Sequence, residues 1–420
     1  MMHLIALSAR SAWNRRLTLS ILVVAIAISV ALLLAVERIR EQAREGFAQS
    51  VSGTDLVVGA RTSPLQLMLY AVFRLGDATH NIRWTSYQAI AEHPAVAWAV
   101  PLSLGDSHRG FAVLGTIPGY FEHFRYGDKQ PLAFTAGHRF EDVFDVVLGT
   151  EVAERLDYKL GDRIVLAHGT GEVSLSEHAD KPFTVTGILA PTGTPVDRTL
   201  HVSLGAIEAI HLDWQGGAPL PGLSIPAEYV SKFDLAPKTL TAALVGLKNR
   251  AGVFAMQRFV NEYKDEPLLA VLPGVALDEL WRITAVAERA LLAVSALVVA
   301  VGLAGLIAVM LSGINERRRE LAILRANGAR PRDIFALLTL EGMFVVLSGT
   351  VLGVALLIVA TWGAAPWLQA HYGLAMPSRL VASGEWRLLA AVFAVGLAAS
   401  LLPGWRAYQA SLADGLSPRI

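Results

Sequence analysis

The sequence has no cysteine. Disulfides and thiolate metal sites are therefore excluded, and any domain outside a membrane holds together by packing alone. Charge is also scarce. Only 17% of the 420 residues are charged, against about a quarter in ordinary soluble domains. Acidic and basic residues balance at 36 each, so net charge indicates no polyanionic partner. A phosphate-binding loop is missing: Gly169-Thr170-Gly171-Glu172 and Gly193-Thr194 lack a following Gly-Lys-Ser/Thr, so this chain is not expected to hydrolyse ATP. It has neither a Gly-x-Ser-x-Gly elbow nor a metalloprotease helix, which removes the common hydrolase readings. His80, His93, His108, His123, His138, His168, His178, His201 and His211 form no short His-x-His or His-Glu-x-x-His pair. They are expected to be core or surface residues, with no metal site.

What the chain has is apolar length: 53% of residues are hydrophobic and the mean hydropathy is positive. Leu17 to Val36 carries no charge, and a run of that length crosses a bilayer core of roughly 30 Å. A signal peptide is the rival reading. The run is long for one, and Glu37-Arg38-Ile39-Arg40 is a poor cleavage site. Residues 1–16, with Arg10, Arg15, Arg16 and Trp13, form a basic flank expected in the cytoplasm. The helix is expected to continue through Glu37–Gln49, whose charges suit water or headgroups. Further spans are expected at 290–312, 342–362 and 388–405. Gly302, Ala304 and Gly305 on the second, and Gly342, Gly349 and Gly353 on the third, permit close helix contact. No span has an ionisable residue near its centre, which argues against an ion-coupled transporter.

Residues 37–289 read as an extracytoplasmic α+β domain with helical stalks. Strands are expected at Thr54–Val58, Ala95–Leu104, Gly110–Thr116, Asp145–Leu148, Arg163–Ala167, Phe183–Leu189 and Thr241–Leu247. Helices are expected at Thr85–Glu92, Thr150–Leu156, Leu204–Ile210 and Ala251–Tyr263. Gln215–Pro237 is a Gly/Pro-rich loop, and Leu277–Arg289 is an amphipathic lead-in. The uncharged run 64–73, with Leu65, Leu67, Leu69, Tyr70 and Phe73, is too short to span. It is either a buried core helix or a hydrophobic element for an outer partner or cargo. Residues 363–387 read as a short outer loop and 406–420 as a cytoplasmic tail.

The organising stretch is the loop 313–341. Residues 315–326 contain no Gly or Pro and favour helix. Arg325 suits the carboxyl pole, Gly328 suits a left-handed cap, and Pro331 blocks continuation. Six arginines fall between Arg317 and Arg332, so the positive-inside rule puts this loop and both termini in the cytoplasm.

Glu316-Arg317-Arg318-Arg319-Glu320-Leu321, then Leu324-Arg325-Ala326-Asn327-Gly328-Ala329, Ile334 and Glu341, resembles the signature of FtsX-like permeases, shared by the MacB, LolC/LolE and FtsX proteins. Val147 to Leu156, closed by Leu160-Gly161-Asp162-Arg163-Ile164, and then Val185 to Arg198, resemble the MacB-type periplasmic core domain. The resemblance implies a four-helix inner-membrane permease with a periplasmic α+β domain between helices one and two. It implies a homodimer and a separate ABC ATPase dimer that binds the ATP and magnesium. It also implies that Glu316, Arg317, Arg318, Glu320, Leu321, Leu324, Arg325 and Gly328 form the coupling helix contacting that ATPase. The implied function is export or extraction of a lipoprotein, peptide or amphiphile, with a periplasmic lipoprotein or adaptor as a further partner. The alternative is mechanical signalling across the membrane to a partner such as a cell-wall hydrolase.

Overall fold

A computed structural model describes residues 16–169, 176–215, 218–219, 225–316, 318–326, 328–372 and 384–409. The basic flank before Arg16, the tail after Gln409 and the polar segment 373–383 lie outside the described residues. The chain divides into two compact units. One comprises Met1–Gln42, Ala285–Trp367 and Met376–Ile420, and the other Ala43–Thr284 and Leu368–Ala375.

The first unit is built on four helices long and apolar enough to cross a membrane. They are Arg16–Gln49, Pro273–Glu316, Pro331–Tyr372 and Glu385–Gln409. Leu22, Ile26, Val30, Leu34, Leu303, Leu306, Val345 and Val346 fill the interior between them. Close approach comes from missing side chains. A Cβ on Gly353 would lie 2.7 Å from the Ala27 carbonyl oxygen, and one on Gly349 would lie 2.7 Å from Ile26 Cγ2. Both glycines thus seat the third helix on the first. Gly342 differs: its Cβ would meet Ser400 Oγ at 2.6 Å, so it faces the fourth helix.

The charges after Val36 do not all face water. Arg38 and Glu385 are buried and joined by two bonds, Nε to Oε1 at 2.7 Å and Nη2 to Oε2 at 2.9 Å. The planar guanidinium matches the carboxylate in this bidentate form, which is what makes burial of both tolerable. Glu37 is buried too, and accepts from Arg40.

The second unit is a mixed sheet with helices on its faces. Ten strands matter here: β1 (Leu56–Ala60), β2 (Val96–His108), β3 (Phe111–Thr116), β4 (Phe134–Gly137), β5 (Asp145–Leu148), β6 (Ala167–His168), β7 (Phe183–Leu189), β8 (Thr199–Ser203), β9 (Ala242–Leu247) and β10 (Leu268–Val271). The main path runs β10-β1-β9-β2-β3-β8-β5-β7-β4, with β6 on β2. Only β3–β8 and β5–β7 are parallel among these pairs. The period of two along a strand divides the core by face. Val57, Leu244 and Val147 join a cluster with Tyr120, Phe121 and Phe140. Leu56, Val58 and Val245 pack with Ile90 and Met256 on the other side. Val146 and Leu148 pack with Val152, Leu200 and Ala206. The Thr192–Asp197 loop is closed by the Asp197 carboxylate, which accepts from the Thr192 and Gly193 N–H groups at 2.9 and 2.7 Å.

Candidate functional site

The site begins where the helix Pro273–Glu316 ends. Arg317 lies outside the described residues; a short helix, Arg318–Ala326, follows. Its end is a Schellman cap. Ala329 N–H donates to the Leu324 carbonyl at 3.0 Å, Gly328 N–H donates to that of Arg325 at 3.0 Å, and Gly328 takes φ +93°. Those bonds satisfy carbonyls the helix leaves open, and the left-handed position suits a residue without Cβ. Pro331 then opens the third long helix, and the Asp333 carboxylate accepts from Arg330 N–H at 2.8 Å. The short helix is thus fixed at its far end by backbone bonding.

Its faces differ. Ala322 is buried, and Leu321, with Ile314, packs against the interior of the four-helix unit. Leu324 and Arg325 are half-buried. Glu320, Ile323 and Ala326, spaced by three, are exposed, Ile323 by 59%. Glu316 and Gly328 are exposed as well. Leu321 therefore turns inward, and the large apolar side chain that faces out is Ile323. Composition alone gives no sign of this, because residues 321–324 are all apolar. Arg318 opens the short helix.

The other sequence candidate is the helix Pro64–Ala71, started by Pro64 and by the Ser63 hydroxyl accepting from Gln66 N–H. Leu67, Tyr70 and Phe73 are buried in the core of the α+β unit, while Leu65 and Leu69 are half-buried. This is the core-helix arrangement. The burial of the Tyr70 phenol pushes its pKa up to about 12.

The histidines occupy different settings. His201 is fully buried against Tyr120 and Phe121. Burial first, and then the Arg74 charge, hold its pKa down to about 3. His80 and His138 are exposed. His168, His178 and His211, scattered along the sequence, come together with Asp106. Three nitrogen donors and one carboxylate are a set able to hold a divalent metal. No short spacing signals it, because sheet pairing assembles it.

Two family descriptions match the chain. The MacB-like periplasmic core domain matches residues 17–219, and the FtsX-like permease C-terminal domain matches residues 292–412. The lipoprotein-releasing system transmembrane protein LolC of Neisseria meningitidis serogroup B is 24% identical over 280 residues, covering 65% of this chain and 61% of that protein. The chain thus spans less than two thirds of that relative's length. Among solved structures, the periplasmic region of MacB from Actinobacillus actinomycetemcomitans is 9% identical with a TM-score of 0.35, over 55% of this chain and 94% of that one. The extracellular domain of the transporter YknZ from Gram-positive bacteria is 12% identical with a TM-score of 0.29, over 52% and 99%. Neither structural likeness is close enough to carry weight. The two domain matches, in this order along one chain and with the short capped helix inside the second, show that the protein belongs to the MacB/FtsX-like family of ABC transporter permeases, related to LolC.

Proposed function

We propose that this chain is the membrane subunit of a MacB/FtsX/Lol-type ABC transporter and that its Arg318–Ala326 helix docks a separate ATP-binding subunit. The observation that carries this is the geometry of the helix. It lies between two long apolar helices within the FtsX-like match, its end is fixed by a Schellman cap, and it presents Glu320, Ile323 and Ala326 outward. A rigid, capped helix with an exposed apolar residue suits a push from a partner better than a loop does.

In this reading the ATPase dimer binds the ATP and magnesium, and this chain supplies no catalytic residue. Closure of the ATPases displaces the short helices of a homodimer. The long helices Arg16–Gln49, Pro273–Glu316 and Pro331–Tyr372 each contain residues of both units; the first two run directly into the 43–284 segment of the α+β unit and in this reading pass motion to it. The arginines of the 317–332 segment support a reading with the short helix and both termini on the cytoplasmic side of an inner membrane and the α+β domain in the periplasm. The named relative belongs to a lipoprotein-releasing system, which favours extraction or export of an acylated protein or another amphiphile over signalling to a cell-wall hydrolase.

The test is co-purification from membranes, with ABC ATPase subunits identified by mass spectrometry and ATPase turnover measured. Ile323→Glu combined with Arg325→Glu is expected to abolish ATPase association and ATPase stimulation while leaving the yield of folded chain unchanged. Association at the wild-type level would overturn the docking reading.

A further inference from the structure

One cluster in the α+β unit has no part in that reading and stands independently of it. Asp106 on β2 and His168 on β6 are direct cross-strand partners, so their side chains share a face. His168 Nδ1 lies 3.1 Å from Asp106 Oδ1. His211 caps the end of the helix Leu204–Ile210, and its Nδ1 donates to the Ile207 carbonyl at 2.8 Å. A carbonyl only accepts, so this bond fixes the tautomer and leaves Nε2 with a bare lone pair. That Nε2 lies 3.1 Å from His168 Nδ1 and 3.6 Å from Asp106 Oδ1. His178 follows the strand Ser176–Glu177, which pairs with β6, and its N–H is held by the Leu166 carbonyl at 2.9 Å. His178 is 1% exposed, and neither ring nitrogen has a hydrogen-bond partner. Trp214 walls the cluster, 4.4 Å from the His178 ring.

We propose that Asp106, His168, His178 and His211 form a binding site for a divalent transition metal of the zinc class. The three short separations, 3.1, 3.1 and 3.6 Å, bracket the roughly 3.3 Å between ligand atoms of a tetrahedral site with bonds of about 2.0–2.1 Å. All four ligand atoms lie within 4.8 Å of one another. A shift of the His178 side chain on the order of 1 Å closes the set. Three imidazoles exclude calcium and magnesium, which take oxygen ligands. The Ile207 carbonyl is the outer partner that orients a metal-bound histidine.

A hydrogen-bonded network alone accounts for His168, His211 and Asp106. It leaves His178 with two buried, unsatisfied nitrogens, at a cost of about 1–3 kcal/mol. A metal satisfies one of them. Four protein ligands leave no open position, so the site is structural: binding ties β2, β6 and the end of the 204–210 helix together.

The full chain, purified in detergent without a polyhistidine tag and stripped with EDTA, is titrated with Zn²⁺ by calorimetry. A single equivalent per chain and a raised thermal midpoint are expected. His168→Ala with His211→Ala is expected to weaken binding by more than the roughly 10–100-fold that outer-shell changes cost. His80→Ala with His138→Ala is expected to leave it unchanged. No stoichiometric binding, or full binding by the first double variant, overturns the proposal. Co²⁺ added to the unaltered chain is a readout independent of any variant's folding. Intense visible bands of four-coordinate cobalt are expected; only the weak bands of six-coordinate cobalt would overturn the assignment.

Discussion

The two units solve opposite problems. In the helical unit apolar side chains lie on both sides: Ile26, Val30 and Leu306 are buried, while Ile21, Val294, Leu297, Val301, Val351 and Val359 are exposed. Burying apolar surface from water therefore cannot be what selects the contacts. Close packing at Gly349 and Gly353 and the Arg38–Glu385 pair select them instead. In the α+β unit burial does the selecting, and strand alternation divides Val57 from Leu56 and Val58. Buried polar groups there are abundant, as in Lys181 held by Asp213 at 2.9 Å, because a sheet can bring a partner from far along the chain.

The contrast can be broken at single residues. The largest effect is expected from Glu385→Ala, which removes the bidentate carboxylate from buried Arg38. It should cost about 3–5 kcal/mol, and Arg38→Met with Glu385→Leu should recover most of that. Thermal unfolding in detergent checks both. Next is Gly353→Val, whose side chain would meet Ala27 and Val30. About 1–3 kcal/mol is expected, whereas Gly363→Val, with nothing nearby, should be close to neutral. In the α+β unit the comparable probe is pH. His201 stays neutral when folded, with a pKa of about 3 against an ordinary 6.5. The unfolded chain therefore binds the extra proton. Stability is complete above pH 6.5 and falls as pH drops toward 3, by at most about 1.4 kcal/mol per pH unit. His201→Leu should flatten that slope. The smallest effect is Gly328→Ala, which places a Cβ at φ +93°. A local cost of about 1 kcal/mol is expected, read as faster amide exchange over residues 324–329.

The same contrast governs what was legible in the sequence. Four apolar helices can be counted directly, because a bilayer demands a long uncharged run. Gly328 and Pro331 mark a cap and a helix start because those residue types have few other uses there. In the α+β domain Asp145–Leu148, Phe183–Leu189, Thr150–Leu156 and Leu204–Ile210 match their residue patterns to the residue. Thr199–Ser203 was not legible, since a strand carrying Thr199, His201 and Ser203 lacks the apolar run of a central strand, although it is buried between β3 and β5. The run 64–73 was legible as apolar, but its place in the core is set by packing. The Arg38–Glu385 pair, 347 positions apart, and the His168–Asp106 contact, 62 apart, are tertiary facts without a local signature. Ile323 was hidden in another way: among four apolar neighbours only the helix orientation shows which one faces out.

The central claim concerns that residue. A photo-crosslinking amino acid at Ile323, activated in native membranes, reports directly what the short helix touches. The account predicts a principal adduct identified by mass spectrometry as an ABC ATPase subunit, lost when the crosslinker is moved to buried Ala322. Adducts to lipid alone, or to a periplasmic protein, would contradict it.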